Sequence, residues 1–292
     1  GCDIIDPHFP ESEILTFKKT QEEQNMMDEA IEAAKASEVV IMVLGGSEVT
    51  VREERSRTSL NLPGRQEELL QEICKLGKPV VLVMIDGRAS SINYAKKFVP
   101  AILHAWFPGE FCGQAIAEVI LGDYNPGGKL AVTFPKSIGQ IPYAFPFKPG
   151  SESPSGTSVY DSLFPFGYGL SYTTFGYSNL TISPDKQGPQ GDVEVSCLVK
   201  NTGNRRGDEV VQLYLRDEIS SVTTYTKVLR GFERITLEPG EEKKVTFILH
   251  SQDLAIWDKN MKFQTEPGIF RVMIGASSKD IKLEAQDRKS TR

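Results

Sequence analysis

The sequence contains few of the residue types on which common metal-binding and redox motifs depend. Its 292 residues include four cysteines and three histidines. The cysteines are Cys2, Cys74, Cys112 and Cys197, and the histidines are His8, His104 and His250. No two cysteines form a C-x-x-C pair and the histidines are widely scattered, so the pattern gives no support to a zinc or redox site. We expect the cysteines to be buried small hydrophobes and expect no metal.

Several catalytic signatures are also missing. The sequence has no G-x-S-x-G, no G-x-x-x-x-G-K-[ST] and no H-E-x-x-H. Gly167-Tyr-Gly169 does not follow a strand and open a helix, which disfavours a dinucleotide site, and we expect no cofactor. Asp123 and Asn125 lie in a segment rich in turn-forming residues, where such side chains cap backbone groups more often than they bind metal.

No apolar run approaches the roughly 20 residues that a membrane helix needs. The net charge is −6 and the isoelectric point about 5.3, which argues against nucleic acid and against anionic membranes as partners. The first residues show neither a signal-peptide pattern nor an initiating Met, so we expect that the chain was cut from a longer one. Residues 1–20 show no period and are expected to be irregular.

The first half alternates between helical and strand patterns. Helices are predicted over 20–37, 65–75, 92–97 and 110–121, and strands over 39–44, 80–85, 101–106 and 130–134. Pro63 is predicted to open the second helix, where proline is tolerated. The run at 39–44 is apolar throughout, which suits a sheet covered on both faces. Repeated strand–helix units predict an α/β domain with a mostly parallel sheet.

The second half has a different pattern. Residues 136–174 are rich in Pro, Gly, Ser and aromatics and are predicted to be a linker or wrapping segment. About seven short strands separated by turn signals follow, as in a β-sandwich of fibronectin type III kind. The predicted strands are 179–182, 192–200, 209–216, 227–235, 243–249, 269–274 and 281–283. We therefore predict an α/β domain over 1–135, the linker over 136–174 and an all-β domain over 175–292.

A long charged loop, residues 45–63, follows the first predicted strand. Strand-to-helix connections usually take roughly 2–6 residues, and longer ones are more often functional or disordered. The loop carries three glutamates and three arginines: Glu48, Glu53, Glu54, Arg52, Arg55 and Arg57. The charge pattern favours a solvated surface, whereas its place at the carboxyl end of a strand would also allow an acid/base carboxylate. Pattern alone leaves all three glutamates open.

Several aromatic residues could either contact a ligand or pack in the core. Those that could stack on a sugar are Trp106, Phe107, Phe164, Phe166, Tyr168 and Tyr172, although core packing is the commoner fate. His104 lies within a predicted strand and is expected to be a satisfied core residue. His250 ends a sandwich strand and is expected at the surface.

Several stretches together resemble one enzyme family. They are Arg52-Glu-Glu-Arg-Ser-Arg-Thr-Ser-Leu-Asn-Leu-Pro-Gly-Arg-Gln-Glu-Glu-Leu69, Trp106-Phe-Pro-Gly109, Gly122-Asp-Tyr-Asn-Pro-Gly-Gly-Lys-Leu130, Phe164-Pro-Phe-Gly-Tyr-Gly-Leu-Ser-Tyr-Thr-Thr-Phe175, Asn201-Thr-Gly203 with Glu209-Val-Val-Gln-Leu-Tyr214, and Leu229-Arg-Gly-Phe-Glu-Arg-Ile235 with Glu266-Pro-Gly268. In this order they resemble the C-terminal part of glycoside hydrolase family 3, and most closely its bacterial β-glucosidases and β-xylosidases.

The resemblance implies a layout and a mechanism. The family's usual order is a TIM-type barrel, an α/β sandwich and a fibronectin type III-like domain. This chain resembles only the last two, with the α/β sandwich incomplete at its start. The nucleophilic aspartate belongs to the missing N-terminal barrel. Hydrolysis in the family retains configuration and uses two carboxyl groups about 5–5.5 Å apart.

The resemblance also singles out one glutamate. In the family, the acid/base glutamate lies four residues before an arginine. That arginine matches Arg57 here, so the resemblance assigns the acid/base role to Glu53. Ser56 stands where Asp is common, and Glu54 stands where a small residue is frequent, so Glu54 remains a competitor. The stretch Thr224-Tyr-Thr-Lys227 departs from the family's usual Arg-Pro, which puts a local contact of the sandwich in doubt.

These implications define two hypotheses. In the first, the chain supplies the general acid/base of a retaining exo-β-glycosidase acting on an oligosaccharide or β-glycoside, and it is inactive without the barrel. In the second, it is a non-catalytic carbohydrate-associated or structural module. The resemblance alone favours a periplasmic or secreted protein.

Overall fold

The computed structural model describes residues 19–48, 50–54, 56–151, 161–184, 186–187 and 191–289. The expectation of irregular structure over residues 1–18, and the suggested start inside the α/β sandwich, lie outside these residues. In the part that is described, no helix combines the length and apolar character that crossing a membrane requires.

The chain divides into two compact units. The first contains residues 1–117, 134–142 and 161–163, and the second contains residues 118–133, 143–160 and 164–292. The predicted boundaries at 135 and 174 stay a prediction of domain organisation.

The first unit is built from alternating helices and strands. Its elements are α1 (Gln21–Lys35), β1 (Val40–Gly45), α2 (Gln66–Lys75), β2 (Val80–Ile85), α3 (Asn93–Phe98), β3 (Ala101–His104) and the start of α4 (Cys112–Leu121). Helix α1 begins with a capping box, in which the Thr20 hydroxyl accepts from the Glu23 amide and the Glu23 carboxylate accepts from the Thr20 amide. This satisfies two amides that the helix leaves unpaired.

Strands β1, β2 and β3 lie in that order and are parallel, which confirms the predicted α/β architecture. Gly45 pairs with Ile85 and Met84 pairs with His104. Because the strands are parallel, their carboxyl ends meet at one edge of the sheet. Leu82, Val83 and Met84 are completely buried, as expected for a central strand.

The prediction that β1 is covered on both faces is wrong for the described residues. Met42 is buried, but Ile41 and Val43 are 53% and 58% exposed. Successive side chains of a strand point to opposite faces, and β1 pairs within the described chain only with β2. One apolar face of this edge strand is therefore open to solvent.

Two other predictions of detail are corrected. Helix α2 begins at Gln66 rather than at Pro63, because Gly64 has a φ of +57° and Gln66 donates its amide to the Pro63 carbonyl in a turn. Residues 130–134 form no strand. The Leu130 amide donates to the Tyr168 carbonyl, and the Leu130 carbonyl accepts from the Gly167 amide. The backbone of Leu130 therefore pairs with residues 167 and 168 and does not extend the parallel sheet.

The second unit contains a β-sandwich, as predicted. Its strands are β4 (Phe175–Ser183), β5 (Lys186–Gln187), β6 (Val193–Asn201), β7 (Gly207–Asp217), β8 (Val228–Leu237), β9 (Glu242–Leu249), β10 (Ile256–Trp257), β11 (Phe263–Gln264), β12 (Gly268–Gly275) and β13 (Ile281–Lys289). One sheet has the order β5-β13-β12-β7-β8 and the other β4-β6-β9. The short helix α5 (Ser251–Leu254) and the hairpin β10–β11 were not predicted.

Alternating side chains of both sheets form the sandwich core. The fully or almost fully buried members include Val193, Val195, Cys197, Val199, Val211, Leu213, Leu237, Val245, Phe270 and Val272. Cys197 is thus a buried small hydrophobe, as expected. Cys74 and Cys112 are free thiols that are only partly buried, so that interpretation does not hold for them. His250 is exposed, as predicted, and lies 3.0 Å from Asp192.

Asn125, expected to cap a turn, binds further away within the second unit. Its side-chain oxygen accepts from the Tyr172 backbone amide and the Ser171 hydroxyl, and its side-chain NH₂ group donates to the Arg206 carbonyl. It therefore satisfies polar groups of two other segments. The stretch at 224–227, which departs from the family's usual sequence, also makes a defined contact. The amide and the hydroxyl of Thr226 both donate to the Phe147 carbonyl.

The sandwich contains a carboxyl group that should destabilise it at neutral pH. Burial raises the pKa of Asp217 to about 6, and the nearby Glu266 and Glu218 add to this. The folded state then binds the proton more tightly than the unfolded chain, so stability is lost as pH rises from about 4 through about 6. We expect Asp217→Asn to raise the free energy of unfolding by about 1 kcal/mol above pH 6, allowing for partial exposure, and to have no effect near pH 4.

This prediction can be checked by urea unfolding at pH 4 and pH 8, followed by circular dichroism. The Asn side chain can still accept the hydrogen bond that the Ile219 amide donates to Asp217. Glu194→Gln is a suitable control, since Glu194 forms an exposed ion pair with Lys244 and such pairs contribute little. An equal gain at both pH values would show that the charge of Asp217 is not the cause.

Candidate active site

The charged loop lies at the carboxyl edge of the parallel sheet. It begins directly after β1 and ends before α2. Asp86 follows β2 at the same edge, and His104 is the last residue of β3. Open α/β sheets bind ligands outside the carboxyl ends of their strands. The sheet therefore brings together a loop with three glutamates, a buried aspartate and a histidine.

A side chain of α2 fixes the root of the loop. The Gln66 oxygen accepts from the Gly45 amide at 2.7 Å, and its NH₂ group donates to the Gly45 carbonyl at 2.9 Å. Gln66 is buried. The two bonds join the first residue of the loop to the first turn of the helix after it. The residues between them are held as a closed loop rather than a free connection.

We expect Gln66→Leu to lower the free energy of unfolding of the first unit by about 2–4 kcal/mol, since it leaves the amide and the carbonyl of Gly45 unpaired. Fluorescence can follow this unit alone, because the protein has two tryptophans, Trp106 and Trp257, and a Trp257→Phe background removes the sandwich signal. Urea unfolding followed by Trp106 fluorescence then gives the change in the free energy of unfolding of the first unit. Gln21→Ala, on the exposed face of α1, should cost under about 0.5 kcal/mol. Similar effects of both substitutions would contradict the proposed role of Gln66.

The first part of the loop is a tight turn. The Ser47 carbonyl accepts from the amides of Thr50 and Val51, and the Thr50 hydroxyl accepts from the Ser47 amide. A Cβ on Gly87 would lie 2.6 Å from Val51 Cγ1 and 2.7 Å from Phe107 Cε2. Both side chains therefore pack against the bare backbone of Gly87, which ties the turn to the ends of β2 and β3.

The last part of the loop is tied to the same unit. The Leu60 carbonyl accepts from the Ser91 amide at 2.7 Å, and the Leu62 side chain is buried. The Arg57 guanidinium donates to the Asn61 carbonyl at 2.8 Å. Between these contacts, residues 52–54 form an exposed run in the middle of the loop.

The three candidate glutamates have different surroundings. Glu48 pairs with Arg52 at 2.8 Å, within the loop. Glu53 and Glu54 are exposed, and within the described part of the chain neither carboxylate has a hydrogen-bond or ion-pair partner. Arg55 lies outside the described residues. Glu48 is thus bound locally, while Glu53 and Glu54 are presented to solvent at the tip.

The backbone distinguishes Glu53 from Glu54. Glu54 has a φ of +61°, a left-handed conformation, whereas that of Glu53 is not positive. A residue with a Cβ pays roughly 1–2 kcal/mol there and glycine pays nothing. A small residue would therefore be favoured at position 54. This is the position at which the family resemblance places a small residue, and Glu54 is the departure from it.

Asp86 is a buried residue of the site that sequence reasoning did not single out. Its carboxylate accepts from the Ser90 hydroxyl at 2.5 Å and from the Arg88 amide at 3.1 Å. It is completely buried. The carboxylate thus organises the turn after β2. The available signal was its position, an acidic residue directly after an apolar strand.

An aromatic cluster lies at the end of β3. The His104 ring lies 4.3 Å from the Trp106 ring and 5.1 Å from the Phe134 ring, and Trp106 has a φ of +55°. Neither nitrogen of His104 makes a hydrogen bond of normal geometry within the described chain, so the expectation of a satisfied histidine is wrong. Burial lowers its pKa, and the neutral ring packs as an aromatic group.

The other aromatic residues mostly pack rather than present a free face. Phe164 stacks on Tyr168 at 5.4 Å, and Phe166 stacks on Phe145 at 4.7 Å. The Tyr172 hydroxyl donates to the Val119 carbonyl. Two members of this set are largely exposed: Phe107, which is 54% exposed beside Val51, and Tyr172, which is 46% exposed.

Comparison with known protein families shows which family the chain belongs to. A family model described as the glycosyl hydrolase family 3 C-terminal domain matches residues 6–172, more than half of the chain. The chain belongs to glycoside hydrolase family 3. A fibronectin type III-like domain model matches residues 209–278, within the sandwich. Both agree with the resemblance that the motifs carry.

Family 3 relatives and structures cover most of the chain. A β-xylosidase of Formosa agariphila is 47% identical over 256 residues, which is 86% of this chain and 35% of that protein. A periplasmic β-glucosidase of Salmonella typhimurium is 42% identical over 89% of this chain and 35% of its own length. A β-glucosidase structure from Erythrobacter marinus superposes with a TM-score of 0.88 at 38% identity, covering 93% of this chain and 37% of that one. The chain thus spans about a third of the length of these family 3 proteins.

Within the described residues, no group of three or more His, Cys, Asp or Glu side chains is arranged to hold a metal ion. The carboxylate side chains at this edge of the family 3 chain are those of Glu48, Glu53, Glu54 and Asp86. A carboxylic acid held on a closed loop can deliver a proton to a group placed against the sheet edge.

Proposed function

We propose that this chain provides the general acid/base of a retaining β-glycosidase, acting on β-glucosides or β-xylosides together with a barrel domain that carries the nucleophile. The observation that supports this most is the presentation of Glu53. It projects at the tip of a loop whose two ends are fixed by Gln66 and by Leu60, at the edge where α/β sheets place their ligands.

Glu53 is proposed in preference to Glu54 for two reasons. The spacing to Arg57 matches Glu53 to the family's acid/base position. The positive φ of Glu54 agrees with a position at which a small residue is favoured, so the same register fits the backbone. Glu48 is paired with Arg52 within the loop and is not a candidate.

Glu53 would act twice in the reaction. Its protonated carboxyl donates a proton to the glycosidic oxygen while the nucleophilic carboxylate of the barrel attacks the anomeric carbon, so the carbon–oxygen bond breaks and the aglycone leaves as an alcohol. The Glu53 carboxylate then removes a proton from water, which attacks the glycosyl-enzyme and releases the sugar with retained configuration.

The proposal predicts that residues 1–292, purified alone, do not turn over p-nitrophenyl β-glucoside or β-xyloside, because one carboxyl of the pair is missing. Release of p-nitrophenol is measured at 400 nm, with the same chain linked to its barrel as a positive control. Turnover by the isolated chain, abolished by Glu53→Gln, would place a nucleophile within these residues and overturn the division of roles. Inactivity of both proteins would favour the non-catalytic module.

A further inference from the structure

Phe107 presents an aromatic ring to solvent at the carboxyl edge of the parallel sheet, and the reaction described above gives it no role. It follows the last residue of β3 by three positions and is 54% exposed. An aromatic side chain with half of its surface in water gains only part of the stability that burial would give. Its exposed surface is available to a ligand.

The backbone next to Phe107 is strained. Trp106 has a φ of +55°, a left-handed conformation that is unfavourable for a residue with a Cβ. The Trp106 ring packs between the rings of His104 and Phe134, at 4.3 Å and 5.9 Å. The chain therefore accepts an unfavourable conformation at the point where one ring packs in the unit and the next is exposed. Strained residues of this kind cluster at functional sites.

The Phe107 ring is held against the backbone that follows β2. A Cβ added to Gly87 would lie 2.7 Å from Phe107 Cε2 and 2.6 Å from Val51 Cγ1, so the edge of the ring and the valine pack together on the bare glycine. Val51 is also fixed at its other methyl group, because a Cβ added to Gly46 would lie 2.1 Å from Val51 Cγ2. The ring is thus held in place before any ligand arrives, which lowers the entropy cost of binding.

These contacts place the ring close to the proposed acid. Val51, which packs beside the ring, precedes Glu53 by two positions, and two residues of chain span at most about 7 Å. The Glu53 side chain is exposed, and its carboxylate has no hydrogen-bond or ion-pair partner within the described residues. The acid and the ring therefore serve the same part of the sheet edge.

We propose that the exposed face of Phe107 contacts the leaving group of the substrate and makes the enzyme prefer cyclic leaving groups. This inference depends on the proposed function of Glu53. A general acid donates its proton to the glycosidic oxygen, which the aglycone keeps when the bond breaks, while the nucleophile attacks the anomeric carbon from the opposite side. Side chains that neighbour the acid on its own chain therefore neighbour the aglycone.

The chemistry of the ring defines the class of leaving group. A phenyl ring offers a broad and rigid apolar face, on which the C–H face of a pyranose, a cycloalkyl group or a second aromatic ring can stack. A short alkyl chain covers little of this surface. We therefore expect Phe107 to favour glycosides with a sugar, aryl or cycloalkyl aglycone, without selecting the sugar that remains in the glycosyl-enzyme.

The test compares two substrates of the barrel-linked enzyme, the ethyl and the cyclohexylmethyl β-glycoside of glucose or of xylose, whichever sugar the enzyme prefers. Both leaving groups are primary alcohols of similar basicity, so both need the same proton transfer from the acid. In Phe107→Ala, kcat/KM for the cyclohexylmethyl glycoside should fall about 10-fold, mainly through a higher KM. For the ethyl glycoside it should stay within about 2-fold. Release of the free sugar gives both rates.

Two further variants separate contact with the leaving group from packing. Phe107→Leu still fills the space beside Val51 and Gly87 but has no aromatic face, and it should lower kcat/KM for the cyclohexylmethyl glycoside alone, by about 3-fold. Phe98→Ala is the matched control. Phe98 is 51% exposed and ends α3, before the amino end of β3, so it lies at the opposite edge of the sheet and its loss should change neither value.

The outcomes distinguish this inference from the function on which it depends. Glu53→Ala should slow turnover of both glycosides by about 10³-fold. If the wild-type enzyme hydrolysed neither glycoside, or if Glu53→Ala kept its activity, the proposed function and this inference would both fail. If Glu53→Ala lost its activity but Phe107→Ala lowered kcat/KM equally for the two glycosides, the ring would only support the loop. That result, or an unchanged kcat/KM for both, would overturn this inference alone.

Discussion

With Glu53 replaced by alanine in the barrel-linked enzyme, turnover of an alkyl β-glycoside should fall by about 10³-fold, within the range that general acid/base catalysis contributes. An alkoxide leaves poorly without a proton. A 2,4-dinitrophenyl glycoside needs no such help, so its first step should remain fast. Its second step should be slow, because no base activates the water, and the first turnover should appear as a burst of phenol.

Azide gives the diagnostic rescue. As an anion it attacks the glycosyl-enzyme without a base, so it should restore turnover of the dinitrophenyl substrate in Glu53→Ala and yield a β-glycosyl azide. Rapid-quench kinetics measure the burst, and NMR of the product gives its configuration. The matched control is Glu54→Ala, which removes the neighbouring carboxylate and should retain most of the activity without azide rescue.

The opposite pattern would refute the assignment. If Glu54→Ala accumulated the glycosyl-enzyme and responded to azide while Glu53→Ala did not, the register based on Arg57 would be wrong by one residue. If neither variant lost activity, the acid/base would lie outside this loop. Glu48→Ala should change turnover little, because Glu48 is already paired with Arg52.

The architecture could be predicted from the sequence because it depends on local periodicity. The apolar run at 80–85 and the helical spacing after it require only neighbouring residues, and β1, β2, β3 and α2 are found close to the predicted positions. Each of the seven predicted sandwich strands overlaps an observed strand, although β4 and β13 are nine residues long where the predictions covered 179–182 and 281–283. A charged loop could be located for the same reason, since it is an interruption between two regular patterns.

The geometry of the loop could not be predicted in this way. Gln66 binds Gly45 across 21 residues of sequence, and no periodicity connects the two. Asp86 is distinguished by its complete burial, which depends on packing rather than on its neighbours in the sequence. The exposure of Ile41 depends on which element covers a sheet face, and an apolar run alone does not contain that information.

The family resemblance added the choice among glutamates, which no pattern could make. The backbone then gave an independent physical reason, since the residue that departs from the family's small type is the one with a positive φ. The pairing of two arginines on the sandwich was not visible from sequence by either route. Arg216 and Arg271 are 55 positions apart in the chain and meet only through the register of β7 and β12.

Replacing Gly45 with alanine should lower the free energy of unfolding of the first unit by about 4 kcal/mol or more. Gly45 has a φ of +136°, a conformation almost restricted to glycine, and an added Cβ would lie 2.0 Å from the Ile85 carbonyl oxygen. That oxygen accepts a hydrogen bond from the Gly46 amide, so it cannot move without breaking the pairing of β1 and β2. The side chain would therefore push β1 away from β2 and release the bonds to Gln66.

Gly77→Ala separates the two causes of this expected loss. Gly77 also has a positive φ, +68°, but an added Cβ there has no heavy atom within 4 Å. Its cost should be only the backbone term, roughly 1–2 kcal/mol. Urea unfolding of both variants in the Trp257→Phe background measures the difference through Trp106. Equal losses would mean that the close approach of β2 does not constrain Gly45. A larger loss at Gly45, together with loss of hydrogen-exchange protection at the Gly45 and Gly46 amides, would show that the same backbone packing joins the strands and fixes the start of the Glu53 loop.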